Sequence, residues 1–239
     1  PHVKADNLES AAFGAGYAQA QDAVCLIADA IIKARSERAL YLGPGPGDIH
    51  VINDFSYKAQ RIMGGATAEY NALSAEGKAM LKGFVAGYNK YVRETSPASL
   101  PAECRNAPWV KTITEIDLLA YYRIVAGFAS GEIFATGAVF AAVPPGVDPN
   151  PVPVAPSLAS NKARKAVAET AKFAAANAGE KQDFTDIGLA SNAWGIGADL
   201  TENGRGVLLG NPHFPYTGTR RFYEMQVTVP RYVNFHGAG

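Results

Sequence analysis

The stretch Gly188-Leu-Ala-Ser-Asn-Ala-Trp194 marks the point at which the chain changes character. A polar, Ala- and Lys-rich segment precedes it, and short β-prone runs separated by Gly, Pro and Asn follow it. Ser191 therefore stands at the start of a predicted strand. If the chain were cut before Ser191, this residue would carry a hydroxyl and a free α-amine with a reference pKa of about 7.7–8.0. That amine could act as general base for its own hydroxyl. A Ser-Asn turn at a strand start accounts for the same residues without any chemistry.

The predicted strands downstream of Ser191 are rich in branched and aromatic residues. They cover residues 194–196, 207–209, 223–229 and 232–235. Between them lies Asn211-Pro-His-Phe-Pro215, in which prolines restrict the backbone on both sides of His213. Such rigidity suits a side chain that must be aimed, and it equally suits an ordinary tight turn.

Upstream, the first 142 residues read as helical. Residues 7–42 are Ala-rich with apolar positions at helical spacing, and Gly43-Pro-Gly-Pro-Gly-Asp48 ends that pattern. A second amphipathic helix is predicted after Ser74 as its N-cap. A third follows Thr112-Ile-Thr-Glu115, which is predicted to form a capping box and to start a helix that continues past Phe128.

A connector separates the helical block from the strands. Residues 143–156 are Pro-rich and cannot be helical, and residues 161–178 have too few large apolar side chains to bury a helix face. Residues 143 to about 188 are therefore predicted to be the least packed part of the chain.

Composition limits the classes of function. The 239 residues contain 48 % hydrophobic and 18 % charged residues, as globular proteins do. Lys and Arg number 22 against 22 Asp and Glu, so the formal net charge is +0. This balance argues against a nucleic-acid partner and against an anionic membrane surface. No apolar run approaches the roughly 20 residues that a bilayer span needs.

Cysteine and histidine usage gives two further expectations. Cys25 and Cys104 could form one disulfide, which would place the protein outside the cytosol, or they could be two buried thiols. No Cys/His cluster has zinc spacing, so no metal site is predicted. The chain also has no Gly-x-Ser-x-Gly elbow and no phosphate-binding Gly-rich loop.

Several of these motifs together resemble one family. Ser191-Asn-Ala-Trp194 followed by Gly206-Val-Leu-Leu-Gly-Asn-Pro-His-Phe-Pro215 is similar to the nucleophile region of the penicillin acylase family of N-terminal nucleophile hydrolases. The Asn-Pro-His-Phe run resembles the branch of acyl-homoserine lactone acylases and aculeacin A acylase. Gly14-Ala-Gly-Tyr-Ala-Gln-Ala-Gln-Asp22 and Pro101-Ala-Glu-Cys-Arg-Asn-Ala-Pro-Trp-Val110 also look like this branch. The resemblance covers residues 1–142 and 183–239.

The resemblance implies an α+β fold with the αββα core of this class, here mostly a helical small subunit and the first strands of a large one. It implies a precursor that cuts itself between Ala190 and Ser191. Residues 1–157 would be the small subunit, 158–190 the spacer, and 191–239 the truncated start of the large subunit. The two subunits would form a heterodimer from one precursor. The oxyanion-hole donors would lie largely beyond Gly239.

The resemblance also implies residue roles and a reaction. Ser191 would be the nucleophile and, through its amine, the base, while the backbone or side chain of His213 would orient that amine or a water. Phe214 would line the acyl pocket and Asn211 would support the turn. The expected function is hydrolysis of the amide bond of N-acyl substrates, above all acyl-homoserine lactones, which is quorum quenching.

Alternatives stay open at this point. Cyclic lipopeptides or penicillins could be the substrate, or the chain could belong to an acyl-binding relative without turnover. A Ser/His hydrolase with Ser191 inside the chain is a third class. Calcium is possible because some relatives bind it, but no cofactor is predicted. A periplasmic or secreted bacterial location is expected.

Overall fold

The computed structural model describes residues 1–127, 190–214 and 221–238. The predicted connector, the spacer boundaries and the continuation of the third helix past Phe128 lie outside the described residues. The described part contains six α-helices and five strands, with short 3-10 turns between them. The helices are α1 Leu8–Ala34, α2 Arg38–Leu42, α3 Ile49–Ala59, α4 Ile62–Ala72, α5 Ala75–Glu94 and α6 Glu115–Gly127; the strands are β1 His2–Lys4, β2 Ala190–Ile196, β3 Val207–His213, β4 Glu224–Val229 and β5 Val233–Ala238.

The long helix α1 and the helix α5 form the centre of the helical part. Each begins at a capping side chain: Asn7 Oδ1 accepts a hydrogen bond from the Ser10 N–H at 2.8 Å, and Ser74 Oγ accepts from the Gly77 N–H at 3.1 Å. The predicted N-cap at Ser74 is thus confirmed. The helical prediction for residues 7–42 holds except at a break between α1 and α2, where Ser36 has a left-handed φ of 59°.

Helices α1 and α5 approach closely because glycine lies at their contact. A Cβ at Gly87 would overlap the carbonyl oxygen of Phe13, so a larger residue would force the two helices apart. The core beside this contact comes from α1, α5, α6 and the loop before α6. Its largest fully buried side chains are Tyr88, Ile31, Ile32, Leu118, Val24 and Cys104.

The capping box of α6 differs from the predicted one. Thr114, directly before the helix, receives a hydrogen bond on Oγ1 from the Asp117 N–H at 3.3 Å, and Asp117 Oδ2 accepts from the Thr114 N–H at 2.7 Å. The prediction of Thr112 with Glu115 was therefore wrong by two residues. The motif Thr-x-x-Asp occurs at the later position, and an Arg35 contact fixes Asp117 there.

Arg35 and Asp117 join the end of α1 to the start of α6. Nε and Nη2 of Arg35 each donate to a different carboxylate oxygen of Asp117 at 2.6 Å. The side chains are only 17 % and 4 % exposed. Burial alone would raise the pKa of Asp117, but the hydrogen bonds from Arg35 and Thr114 outweigh it and lower that pKa.

Cys25 and Cys104 form a disulfide, with their Cα atoms 5.5 Å apart. This settles the alternative of two buried thiols. The bond connects α1 to the 3-10 turn Ala102–Cys104, so it fixes the loop before α6 against the helical core.

The strands form two sheets among the described residues. One has the order β1-β4-β5, with β1 parallel to β4 and β5 antiparallel to β4. The other is the antiparallel pair β2-β3. Strand β1 corrects the expectation that all of the first 142 residues are helical. Three residues are too few for the alternation of His2, Val3 and Lys4 to stand out as a pattern.

The described elements confirm the predicted α+β class, with the helices first and most of the strands last in the chain. Helix α1 packs directly against β1 and β4, so the helical part and the three-stranded sheet share one interface. None of the helices in the described ranges has the length and apolarity to cross a bilayer.

Candidate active site

The hairpin β2-β3 places Ser191 beside the Asn-Pro-His-Phe run. Its register pairs Ala190 with His213, Ser191 with Pro212, and Asn192 with Asn211. Because neighbouring strands lie about 4.8 Å apart, the backbones of Ser191 and His213 are on adjacent rungs. The structure thus brings together the two residues that sequence reasoning singled out, 22 positions apart in the chain.

Their side chains lie on opposite faces of the hairpin. Paired residues share a face and successive residues alternate, so Ser191 shares a face with Pro212. His213, Asn211 and Asn192 share the other face. This register favours a main-chain role for His213 over a direct bond between its imidazole and the Ser191 hydroxyl.

Pro212 restricts the hydrogen bonds of this part of the ladder. Antiparallel pairs alternate between those that exchange two N–H···O bonds and those that exchange none. Pro212 has no N–H, so its pair with Ser191 fits the second kind. By this alternation, the N–H of His213 would donate to the carbonyl oxygen of Ala190, at the predicted cleavage bond.

The hairpin is exposed along nearly its whole length. Residues 191–212 of the two strands and the turn between them are mostly exposed, and His213 is half-buried. The exposed side chains include large apolar ones: Trp194 is 56 % and Leu208 is 76 % exposed.

Phe214 contacts a second aromatic residue that sequence reasoning missed. Its ring centroid lies 4.5 Å from that of Phe222, with the planes inclined by 31°. Phe222 belongs to Arg221-Phe-Tyr223, directly before β4, and this aromatic run was a usable signal. The pair extends the apolar surface that follows His213.

A separate apolar cavity of about 790 Å³ lies between the helices and the three-stranded sheet. Helices α1, α5 and α6 line one side of it and β4 and β5 the other. Tyr121 and Tyr122 are in its wall, whereas Ser191, His213 and Phe214 are not among its described lining residues. Representative lining residues are Leu26, Phe84, Leu119, Val227 and Phe235.

One edge of this cavity has a polar contact between the last strands and α1. Tyr223 Oη donates to Asp22 Oδ2 at 2.7 Å, and Arg221 Nη2 donates to the Asp22 carbonyl oxygen at 3.4 Å. Burial and the bond to Asp22 raise the pKa of Tyr223. The contact lies next to Ala23, where α1 is kinked by a residue with φ −149° and ψ 28°.

Metal ligands are not grouped in this region. Within residues 1–127, 190–214 and 221–238, no three His, Cys, Asp or Glu side chains come close enough to hold an ion.

Comparison with known proteins gives matches over the whole chain. The family model described as penicillin amidase matches residues 1–239. Aculeacin-A acylase of Actinoplanes utahensis is 36 % identical over 248 residues, and the acyl-homoserine lactone acylase PvdQ of Pseudomonas fluorescens strain Pf0-1 is 33 % identical over 242 residues. Each alignment covers 100 % of this chain and 29 % of the relative, so the chain spans less than a third of their length.

One solved structure completes the comparisons. It is a thermostable penicillin G acylase from Alcaligenes faecalis, with a TM-score of 0.45 and 21 % identity. The match covers 63 % of this chain and 89 % of the acylase chain.

Proposed function

The chain belongs to the penicillin amidase family, as its motifs predict, and from this membership we propose that the whole protein is an N-acyl amidohydrolase whose nucleophile is Ser191. The fold class agrees with the family, since helical and strand elements combine as expected for N-terminal nucleophile hydrolases. The observation that carries the proposal is the hairpin register, which sets Ser191 at the start of β2 beside the main chain of His213.

The proposal requires self-cleavage first. Ser191 Oγ attacks the carbonyl carbon of Ala190, and the peptide C–N bond breaks as the acyl group moves from nitrogen to oxygen. Water then hydrolyses this ester, which leaves a carboxylate on Ala190 and a free α-amine on Ser191. The His213 N–H, on the rung of Ala190, is the described donor nearest to that carbonyl by register.

Hydrolysis of substrate uses the freed amine. The amine takes the proton of Ser191 Oγ as the oxygen attacks the amide carbonyl of the N-acyl substrate. The proton passes to the departing nitrogen when the C–N bond breaks, and the acyl group remains on Ser191 as an ester. Water, activated by the same amine, releases the carboxylic acid and restores the hydroxyl.

The neighbouring residues have supporting roles in this proposal. The main chain of His213 orients the amine or the water, and Asn211 supports the turn that carries it. Phe214, stacked on Phe222, contacts the acyl chain. The apolar pair suits an aliphatic acyl group better than a charged one.

Acyl-homoserine lactones are the proposed substrates, with quorum quenching as the consequence. Relatives of the chain include several proteins named for that activity. A lipopeptide is the second candidate, because a relative at 36 % identity is named aculeacin-A acylase. Both substrates have a long acyl chain on an amide nitrogen, so the catalytic steps are the same.

We also propose a heterodimer of the two cleavage products and a periplasmic or secreted location. The Cys25–Cys104 disulfide supports the location, because such bonds persist in oxidising compartments. Reaction of unfolded protein from freshly fractionated cells with a thiol reagent tests this: two free thiols in the native host would contradict export.

The decisive experiment is intact mass and N-terminal sequencing of the protein expressed from its complete gene. Two chains, one beginning Ser-Asn-Ala-Trp, are expected. Ser191→Ala should give one uncut chain and no hydrolysis. Ser99→Ala, which removes another exposed hydroxyl far from the hairpin in the chain, is the control and should behave as wild type.

Substrate class is tested on the cleaved protein. Release of homoserine lactone is measured over a series of acyl chain lengths, beside an aculeacin-type lipopeptide and penicillin G. Faster turnover of the lipopeptide would select the second candidate. Acyl-chain binding without turnover by the cut protein would contradict an enzymatic function.

A further inference from the structure

The cysteines of the 239 residues do not connect the two parts that the proposed cut would separate. The sequence has 2 cysteines, and both are in the disulfide Cys25–Cys104 within the helical part. Within the 239 residues, therefore, no disulfide links residues 1–190 to residues 191–239.

Strand β1 makes the most extensive backbone contact between the first and last described ranges. The Gln226 N–H donates to the Pro1 carbonyl oxygen at 2.9 Å, and the Ala5 N–H donates to the Thr228 carbonyl oxygen at 3.0 Å. Between these two bonds the register pairs residues 2–4 with residues 226–228 in parallel. His2 Nε2 and Thr228 Oγ1 add a side-chain contact at 3.1 Å.

Without β1, strand β4 would become an edge. The sheet order β1-β4-β5 leaves one side of β4 to β5 and the other to β1. Its free N–H and C=O groups would then be available to any other strand, a condition that natural sheets avoid.

Helix α1 is shaped to seat β1. A Cβ at Gly14 would lie 2.6 Å from Cγ1 of Val3, closer than real carbon atoms approach. The glycine therefore makes room for the one apolar side chain of β1. Gly14 and Val3 are both in the N-terminal part, so β1 is held against the helices while it presents its backbone to β4.

The side-chain contacts between the same parts are sparser. Tyr223 Oη and Arg221 Nη2 both donate to Asp22, and Tyr232 Oη donates to Glu76 Oε1 at 3.1 Å. Each is a single hydrogen bond from an exposed or half-buried side chain, which contributes little on its own.

We propose that β1 is a docking strand: it joins the sheet of the chain that begins at Ser191 by parallel strand addition and keeps the two cleavage products together. The partner is strand β4 of that chain, recognised through its backbone, while the Val3 side chain on Gly14 holds β1 against its own helices. This inference rests on the proposed function, because the two parts become separate chains only when the bond before Ser191 is cut.

The pattern of the ladder supplies a matched pair of variants. In a parallel ladder, alternate residues bond to the neighbouring strand. Since Pro1 and Ala5 bond to β4, Val3 does so too, and the N–H of Lys4 points away. Val3→Pro removes a ladder donor and the seated side chain, whereas Lys4→Pro removes an N–H that β4 does not use.

The experiment uses the full-length protein with Ser191→Ala and a site-specific protease sequence inserted between residues 158 and 190. Addition of the protease replaces self-cleavage. Size-exclusion chromatography in rising urea then gives the concentration at which the two pieces separate. We expect Val3→Pro to lower that midpoint by about 1 M relative to Lys4→Pro.

A second pair guards against a variant that misfolds. Gly14→Ala should weaken the association because its Cβ meets Val3 Cγ1, and Gly14→Ala with Val3→Ala should restore part of it by removing that atom. Circular dichroism of the uncut variants checks folding. Equal midpoints for Val3→Pro and Lys4→Pro, or no recovery in the double variant, would overturn the docking strand.

Failure of the two proposals can be told apart. A wild-type protein that never cuts itself contradicts the catalytic proposal, but the added protease still measures the role of β1. Self-cleavage of the wild type, together with separation of all protease-cut variants at the same urea concentration, contradicts only the docking strand.

Discussion

The helical part and the β2-β3 hairpin use apolar residues in opposite ways. In the helical part, Leu118 is 1 % exposed and Tyr88 is fully buried, and α1, α5 and α6 share one core. In the hairpin, Leu208 and Leu209 are 76 % and 59 % exposed. The predicted nucleophile thus lies on the part with the least burial, and the part with the most burial contains none of the predicted catalytic residues.

The interactions that stabilise the fold and the predicted reactive residue therefore lie in different parts of the molecule. The helical part has a disulfide, a buried ion pair and close helix contacts, all of which are expensive to disturb. The hairpin has a backbone register that aligns Ser191 with the Asn211–Phe214 run. Substitutions in the helical part should therefore change unfolding first, and substitutions at Ser191 should change reactivity first.

The largest effect is expected at the buried ion pair. Asp117→Asn removes the negative charge and leaves the Arg35 guanidinium half-satisfied, which should cost about 3–5 kcal/mol in the free energy of unfolding. Urea denaturation measures it. Asp29→Asn, which breaks the more exposed pair with Arg38, is the control and should cost much less. Equal losses would show that burial of the pair does not matter.

The pH dependence of the free energy of unfolding should show the contribution of the Asp117 carboxylate. Burial opposes its charge, but Arg35 and Thr114 together lower the pKa of Asp117 in the folded state. Its contribution is therefore complete above the unfolded pKa of about 3.9 and is lost as pH falls below that value towards the folded pKa. We expect Asp117→Asn to flatten the stability profile below about pH 4. An unchanged profile would contradict the lowered pKa.

Loss of the disulfide should have the next largest effect on the free energy of unfolding. Replacement of both Cys25 and Cys104 by serine opens a loop with a sequence separation of 79 and should cost about 2–5 kcal/mol. Thermal unfolding with and without a reducing agent measures it. Reduction should lower the melting temperature of the wild type to that of the double variant and leave the double variant unchanged. A fully reduced wild type with an unchanged melting temperature would refute the stabilising role.

The contact between α1 and α5 should be intolerant of one methyl group. Gly87→Ala puts a Cβ into the Phe13 carbonyl oxygen, and moving two backbones apart should cost about 1–3 kcal/mol. Gly64→Ala in α4 is the matched control, because the nearest atom to its Cβ, on Arg61, is 4.0 Å away. The control should stabilise the protein by up to about 1 kcal/mol through helix propensity alone.

Sequence reasoning found most of the helical part because the signals are local. Ser74 is followed by a clear amphipathic pattern, and α5 begins where that pattern does. Sequence reasoning placed the cap of α6 wrongly because Thr112 and Thr114 both fit a capping motif. Only the Arg35 contact with Asp117 decides between them. Such a contact joins residues 82 positions apart and produces no local pattern in the sequence.

The site was predicted from motifs, and its geometry was not. Ser191 and the Asn211–Phe214 run are visible in the sequence, but the register that puts Ser191 opposite Pro212 is a long-range pairing. Phe222 was missed because it lies outside the run, and β1 because three residues hold too little pattern. Whether Ser191 acts as nucleophile stays a prediction.

The smallest effect is expected in the hairpin, and it tests the comparison most directly. Leu208→Ala should change the free energy of unfolding of this 239-residue chain by no more than about 0.5 kcal/mol, since the side chain is exposed. Leu118→Ala, the same substitution in the core, should cost about 2–5 kcal/mol.

The same two substitutions in the protein expressed from the complete gene complete the test. A cost for Leu208→Ala that stays small would mean that the hairpin keeps its apolar residues exposed, and the contrast between the two parts would then belong to the whole protein. A cost that rises towards that of Leu118→Ala would mean that further protein covers the hairpin. Ser191 would then react in a buried site, where apolar surroundings favour the uncharged form of its α-amine and so strengthen its role as base.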